Sequence, residues 1–344
     1  MIYIGLDVHK DNITACVLTA RGKVKFEHNY RRQSQSWDCL AELLEYRDKD
    51  GSCFMMESGT YAYPPFRFLT DHGAEAHVVH ARSLKVITDS DRKTDKIDAM
   101  AIARMLRLWK RGELELSMAF MPTREQCELK DLCRYREQIS KDIGDETRRI
   151  KAHMARNCLP LPSDVENFQN KKSRRFVLET YPGDMTLSRR MERLDDLFEE
   201  RDRIQKAVES RLPGDSRVDL LAQIPGIGRQ SAVQIMSMIV DVDRFPDAEH
   251  MCAYFGLVPR VRDSGGKEHH GKMTKTGDRM MRMIMERATE SHVRNCESSI
   301  TDLYRRKLPE MGQKKALITA SRQMLSTVYA VLKRGTPFVP HPER

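Results

Sequence analysis

Met1-Ile2-Tyr3-Ile4-Gly5-Leu6-Asp7 is an apolar run closed by an acid, and Cys53-Phe54-Met55-Met56-Glu57 repeats the pattern. Short apolar runs bounded by polar or turn residues predict buried strands. Between the two, residues 14–19 and 23–30 read as further strands joined by Ala20-Arg21-Gly22, so the first three predict an antiparallel meander. Trp37, Leu40, Leu43, Leu44 and Arg47 have helical spacing. After the fourth strand, Glu57-Ser58-Gly59-Thr60 turns the chain and Pro64-Pro65 opens a helix carrying Phe66, Phe68 and Leu69. Residues 76–80 predict a fifth strand. Ile97, Met100, Ala101, Met105 and Leu108 predict a long helix from about residue 91 to residue 109.

Three strands, helix, strand, helix, strand, helix is the order of a ribonuclease H-like α/β fold. In that fold the first and fourth strands are neighbours, which places Asp7 and Glu57 side by side at one sheet edge. Asp95 and Asp98, at i and i+3, share one face of the last helix. Like charges held together repel, and a bound cation relieves this. Cleavage of phosphodiesters by metal ions uses two cations about 3.5–4 Å apart, held mainly by carboxylates. Hard oxygen ligands favour Mg²⁺ or Mn²⁺. Asp7, Glu57, Asp95 and Asp98 supply that set; Asp89 and Asp91 compete with them on spacing alone. Helix capping and surface exposure are the alternative roles for these acids.

The chain has 344 residues, enough for two domains with an extension between them. Charged residues make up 32% of it, and no apolar run approaches the roughly 20 residues of a membrane helix. The N-terminus reads directly into a strand, without a signal-peptide pattern, so a cytoplasmic location is expected. Its eight cysteines form no Cys-x-x-Cys pair, which points to reduced thiols rather than structural zinc. The net charge is +9, and from Phe255 to Arg344 there are 18 Lys or Arg against 9 Asp or Glu, so the whole excess lies in the last quarter. Such a region attracts polyanions, above all phosphate backbones.

Residues 122–212 turn to charged helix. Leu129, Leu132, Ile139, Ile143 and Ile150 step by threes and fours, with Arg136 and Glu146 at two seam positions. Leu187, Met191, Leu194, Phe198 and Ile204 do the same, and Pro160-Leu161-Pro162 separates the two runs. A helical hairpin or coiled coil is predicted. From about residue 219, Ile224-Pro225-Gly226-Ile227-Gly228 lies between two helical stretches, a helix-hairpin-helix pattern. Gly226 and Gly228 would let backbone N–H groups reach a phosphate; a plain turn between packed helices is the other reading. Beyond it, Ser264 lies between Asp263 and two glycines in a stretch read as a loop, flanked by Arg260, Arg262, Lys267 and Lys272. A serine is a weak nucleophile unless activated, and His269 and His270 follow. Lys275, Arg279 and Arg282 at i, i+4 and i+7 predict a basic stripe on the next helix.

These motifs occur in a recognisable order. Asp7-Val8-His9-Lys10, Glu57-Ser58-Gly59-Thr60 and Lys93-Thr94-Asp95-Lys96-Ile97-Asp98-Ala99 come first. Ile224-Pro225-Gly226-Ile227-Gly228, Ala253-Tyr254-Phe255-Gly256-Leu257-Val258-Pro259 and Asp263-Ser264-Gly265-Gly266 follow. Over nearly the whole chain the set resembles the DEDD transposases of the insertion-sequence one-ten family, which includes the Piv-type DNA invertases. The resemblance implies a RuvC-like DEDD domain (1–112), a coiled-coil connector (122–212) and a mainly helical transposase domain (219–335). It implies metal binding by Asp7, Glu57, Asp95 and Asp98, and a serine nucleophile matching Ser264. That serine forms a covalent 5′-phosphoserine link to DNA, and strands exchange through a Holliday-junction-like intermediate. A structured guide RNA, the bridge RNA, selects donor and target DNA. Dimers assemble into a tetramer whose composite sites join one subunit's acids to another's serine. A bacterial or archaeal, nucleoid-associated protein is expected. The basic segment from Lys272 to Gly277 follows the family only loosely. A junction-resolving nuclease using water, and a non-catalytic nucleic-acid-binding protein, are the competing expectations.

Overall fold

The computed structural model describes residues 1–31, 37–81, 83, 95–161, 165, 167–212, 214–264, 267–273 and 277–341, except for the side chains of 38, 95–97, 259–264 and 267–273. Two compact units result, Met1–Pro122 and Thr123–Arg344. Among the described residues no helix is long and apolar enough to cross a membrane.

In the first unit, strands β1 (Ile2–Val8), β2 (Asn12–Leu18), β3 (Val24–Arg31), β4 (Ser52–Glu57) and β5 (Glu75–Val79) form one sheet in the order β3-β2-β1-β4-β5. β1, β2 and β3 run antiparallel, whereas β4 is parallel to both β1 and β5. The apolar runs are continuous because both faces are covered. Ile2, Ile4, Leu6, Phe54 and Met56 pack on one side with Leu40, Leu43 and Leu69. Leu43 belongs to helix α1 (Ala41–Leu44) and Leu69 to α2 (Tyr63–Asp71). Tyr3, Cys53 and Met55 pack on the other side with Ala99, Ile102, Ala103 and Leu106 of α3 (Asp95–Lys110). The strand period of two thus divides one sequence between two cores.

Gly5 sets how closely α3 approaches. A Cβ there would lie 2.3 Å from the Ala99 carbonyl oxygen and 2.4 Å from the Ala103 nitrogen, both backbone atoms. Gly5→Ala must push the helix off the strand. We expect destabilisation of about 1–3 kcal/mol in thermal or urea unfolding.

In the second unit, α4 (Arg124–Arg156) and α6 (Met185–Glu209) lie antiparallel as a helical arm, and α5 (Lys171–Thr180) packs alongside α6, where Arg174 bonds Asp195 at 2.7 Å. A capping box of Thr123 and Gln126 starts α4, whose 33 residues extend about 50 Å at 1.5 Å per residue. Ile139, Ile143 and Ile150 pack on Leu187, Met191, Leu194 and Phe198. The two polar seam residues are buried with partners: Arg136 on Gln205, and Glu146 on Arg149 and Arg190. At the arm's base, Leu129, Cys133 and Val208 join a larger core built from the helices that follow. These are α7 (Ser216–Ala222), α8 (Arg229–Ile239), α9 (Ala248–Tyr254), α10 (Arg279–Asn295), α11 (Ser299–Met311) and α12 (Gln313–Arg334). Between α9 and α10, β6 (Pro259–Ser264) and β7 (Lys267–Met273) form an antiparallel hairpin.

Candidate functional site

In the first unit the carboxyl ends of β1 and β4 carry the acids. Leu6 pairs with Met56, so Asp7 and Glu57 are the next residues along two parallel neighbours. Asp7 is 7% exposed, and its Oδ2 lies 3.0 Å from Nε2 of His9. Glu57 is exposed and Asp98 half-buried. Asp98 directly precedes Ala99, whose carbonyl would meet a Cβ on Gly5, so the start of α3 stands over the end of β1. Asp95 opens that helix; its side chain lies outside the described residues, as do Asp89 and Asp91 altogether. The backbone thus directs Asp7, Glu57 and Asp98 to one end of the sheet. Their oxygens do not all fall within 4.8 Å of one another.

Among the described residues, the group with ligand atoms that close is Cys53, Glu75 and His77, at the opposite ends of the strands. Two observations argue against metal there. Lys110 already gives Glu75 an ammonium partner, and His77 bonds the same carboxylate at 2.7 Å. Burial, with Glu75 adding to it, pushes the Cys53 thiol up to about 12, so a cation would have to displace its proton against that burial.

In the second unit Ser264 ends β6 and pairs with Lys267 of β7 across the two glycines. The stretch read from sequence as a loop is therefore a hairpin. The Gly265-Gly266 step was the available signal. Arg260, Arg262, Lys272, His269 and His270 lie on this hairpin; their side chains, and that of Ser264, lie outside the described residues, as does all of Lys275.

The base of the hairpin is described, and it is clamped. Gly277 has φ +93°, and a Cβ there would lie 2.1 Å from the Tyr254 carbonyl oxygen. Arg282 donates through Nη1 to the carbonyls of Phe255 (3.1 Å) and Gly277 (3.2 Å), one on each side of the hairpin. Asp278 caps α10 by accepting from the Met280 N–H at 2.9 Å, and it also accepts from Arg134 of the arm at 2.7 Å. Lys130 stands 3.5 Å away. Burial works to raise the Asp278 carboxyl, but the Met280 N–H, Arg134 and Lys130 outweigh it and hold it below the usual range. Arg282 thus braces backbone, whereas Arg279 on the first turn is exposed. Sequence spacing identified neither Asp278 nor Arg134, which are 144 residues apart. Asp278→Ala strips a cap and leaves Arg134 only Asp131, 3.9 Å away, so stability should fall by about 1–2 kcal/mol. Arg134→Ala should cost less, because Lys130 remains; paired melting curves check the order.

The two glycines of the Pro-Gly-Ile-Gly turn differ. Gly226, at φ +93°, would place a Cβ 2.2 Å from the Ala288 carbonyl oxygen, so it permits close packing on α10. Gly228 is the N-cap of α8, is exposed, and has open space where a Cβ would stand. Beneath the turn, buried His292 bonds the Pro225 carbonyl at 2.6 Å and the Ser298 hydroxyl at 2.7 Å.

Residues 4–158 match a family described as "Transposase", and residues 218–305 match "Transposase IS116/IS110/IS902 family". The chain is 25% identical to the transposase for insertion sequence element IS1111A of Coxiella burnetii, over 96% of this chain and 89% of that protein. It is 23% identical to the transposase for insertion sequence element IS1328 of Yersinia enterocolitica, over 86% and 84%. Identity to the pilin gene-inverting protein of Moraxella bovis is 22%, over 98% and 97%. The matched segments take in the acid-bearing strands, the arm's first helix and the serine hairpin in one order, and the chain belongs to the IS110 transposase family.

Proposed function

We propose that this protein is an RNA-guided DNA recombinase that excises and inserts a mobile element through a serine–DNA link. The observation that carries the reading is the coexistence, in one chain, of acids directed to a single sheet end and a serine at a braced hairpin tip. The first unit is read as RuvC-like, with Asp7, Glu57, Asp95 and Asp98 holding Mg²⁺ or Mn²⁺. The donors fit: they are hard oxygens of carboxylates, the ligand type that Mg²⁺ and Mn²⁺ prefer. A cation bound there supplies positive charge to the scissile phosphate and lowers the pKa of an attacking hydroxyl.

Ser264 Oγ attacks phosphorus in line with the 3′ oxygen. The Oγ–P bond forms, the P–O3′ bond breaks, and the serine proton ends on the released 3′ hydroxyl. Rejoining is the reverse attack by a 3′ hydroxyl of another strand, which returns the proton to Ser264. One phosphodiester is exchanged for another at each step, so no ATP is required. Two such exchanges on paired duplexes pass through a Holliday-junction-like intermediate.

Donor and target DNA and a structured guide RNA are the proposed partners. Gly228, with Gly226 shaping its turn, would meet backbone phosphate, as would Arg260, Arg262, Lys272, Lys275 and Arg279; Arg282 would act from behind, through the hairpin base. Dimers assembling to a tetramer would let one subunit's acids serve another's serine. A site-specific invertase is the second reading, favoured by the likeness to the Moraxella bovis protein along nearly its whole length.

The test is peptide mapping. The full chain is incubated with element-end DNA, guide RNA and Mg²⁺, then denatured and digested. A DNA-linked peptide containing Ser264, joined to a 5′ phosphate, is expected. Cleavage without a linked peptide, or a link elsewhere, would refute the serine mechanism.

A further inference from the structure

The helical arm is electrically polarised along its length. In its two long helices, residues 148–156 and 185–193, the distal half, hold seven Lys or Arg against one Asp or Glu. Residues 124–147 and 194–209, the proximal half, hold eight against thirteen. The arm's registry places the distal residues together: His153 bonds Asp184 at 2.6 Å and Glu146 bonds Arg190 at 2.7 Å, whereas Tyr135 reaches Glu200 near the base.

Glu146 marks the border, and its surroundings carry more charge than the seam needs. It is 1% exposed. Arg190 Nη1 donates to it at 2.7 Å and Arg149 Nη1 at 3.0 Å, and Arg193 Nε stands 3.9 Å away. One arginine neutralises one carboxylate; three leave two positive charges over. Burial favours the protonated carboxyl, but Arg190 and Arg149 outweigh it and keep Glu146 ionised. The buried acid therefore holds guanidiniums from both helices in fixed positions. Arg190 Nε is buried and has no acceptor among the described residues. Arg193 is 66% exposed, so its remaining donors face solvent.

We propose that Arg149, Arg190 and Arg193, arranged by Glu146, bind a backbone phosphate of duplex DNA on the side of the arm. Planar guanidinium forks match phosphate oxygens in pairs. A phosphodiester brings one negative charge, which the two surplus positives more than balance. The excess of cations toward the tip extends the attraction beyond the contact itself. The contact carries no sequence information; it would fix where the arm lies on the duplex. This rests on reading the chain as a DNA-handling enzyme, and duplex DNA is the occupant because the chain belongs to a transposase family.

The experiment measures binding of the full chain to a 30-base-pair duplex across a salt series. Arg149→Gln/Arg193→Gln is compared with wild type and with Lys141→Gln/Lys206→Gln, which removes the same charge from exposed proximal positions. One lost phosphate contact should reduce the slope of log affinity against log salt by about 0.9, or about eightfold in affinity near 0.1 M salt. The proximal pair should leave the slope unchanged. Arg193→Gln alone guards against misfolding, since it is the least engaged of the three, and should show part of the loss at an unaltered melting temperature. Equal losses in both double variants, an unchanged slope in the distal pair, or a loss seen only with an RNA stem-loop would each overturn the site. Wild-type protein without affinity for duplex would instead remove the DNA-handling reading, and the site with it.

Discussion

Ser264→Ala should abolish the covalent protein–DNA product and lower strand transfer by at least about 10⁴-fold. The change removes one oxygen at the end of β6, beside two glycines. Folding and DNA affinity should therefore stay near wild type. A water-using nuclease with the same acids predicts the opposite: cleavage persists and no adduct appears in either protein. Ser264→Cys sharpens the comparison, because a thiolate attacks phosphorus poorly yet keeps the shape. Adduct yield on denaturing gels, with melting temperature and duplex affinity measured on the same preparations, separates these outcomes.

Asp7→Asn should reduce both adduct formation and strand transfer by about 10³-fold or more. The substitution is nearly isosteric and removes only the charge from a residue 7% exposed. Relieving repulsion at the shared sheet end should leave the melting temperature no lower than that of wild type, while activity collapses. Such a divergence is the mark of a residue kept for chemistry at the expense of stability. A non-catalytic DNA-binding protein predicts no change in either quantity. Glu57→Gln should repeat the pattern more weakly if that acid's exposure admits a water in its place.

The apolar runs ending in Asp7 and Glu57 made the parallel β1–β4 pair legible, because a strand buried on both faces leaves a continuous apolar signature. The arm was legible for the complementary reason: its seam repeats every three or four residues, and even Arg136 and Glu146 fall in phase. What escaped were features set by distance in space. The serine hairpin looked like a loop because charged residues and glycines dominate it; only the Gly-Gly step hinted otherwise. Asp278 reads as an ordinary helix cap, and nothing local reveals that Arg134 meets it. Arg282 reads as part of a basic stripe, yet its fork lies against two backbone carbonyls. Gly5 and Gly226 are conspicuous only once the facing helix backbones are known.

That the acids' cation and Ser264 act on the same phosphate can be tested with sulfur. One non-bridging oxygen of the scissile phosphate is replaced by sulfur, each stereoisomer separately, and the rate of adduct formation at Ser264 is followed in Mg²⁺ and in Mn²⁺. One isomer should react about 100-fold more slowly in Mg²⁺ and recover in Mn²⁺, which accepts sulfur more readily. Adduct formation indifferent to both sulfur and metal would contradict a shared site.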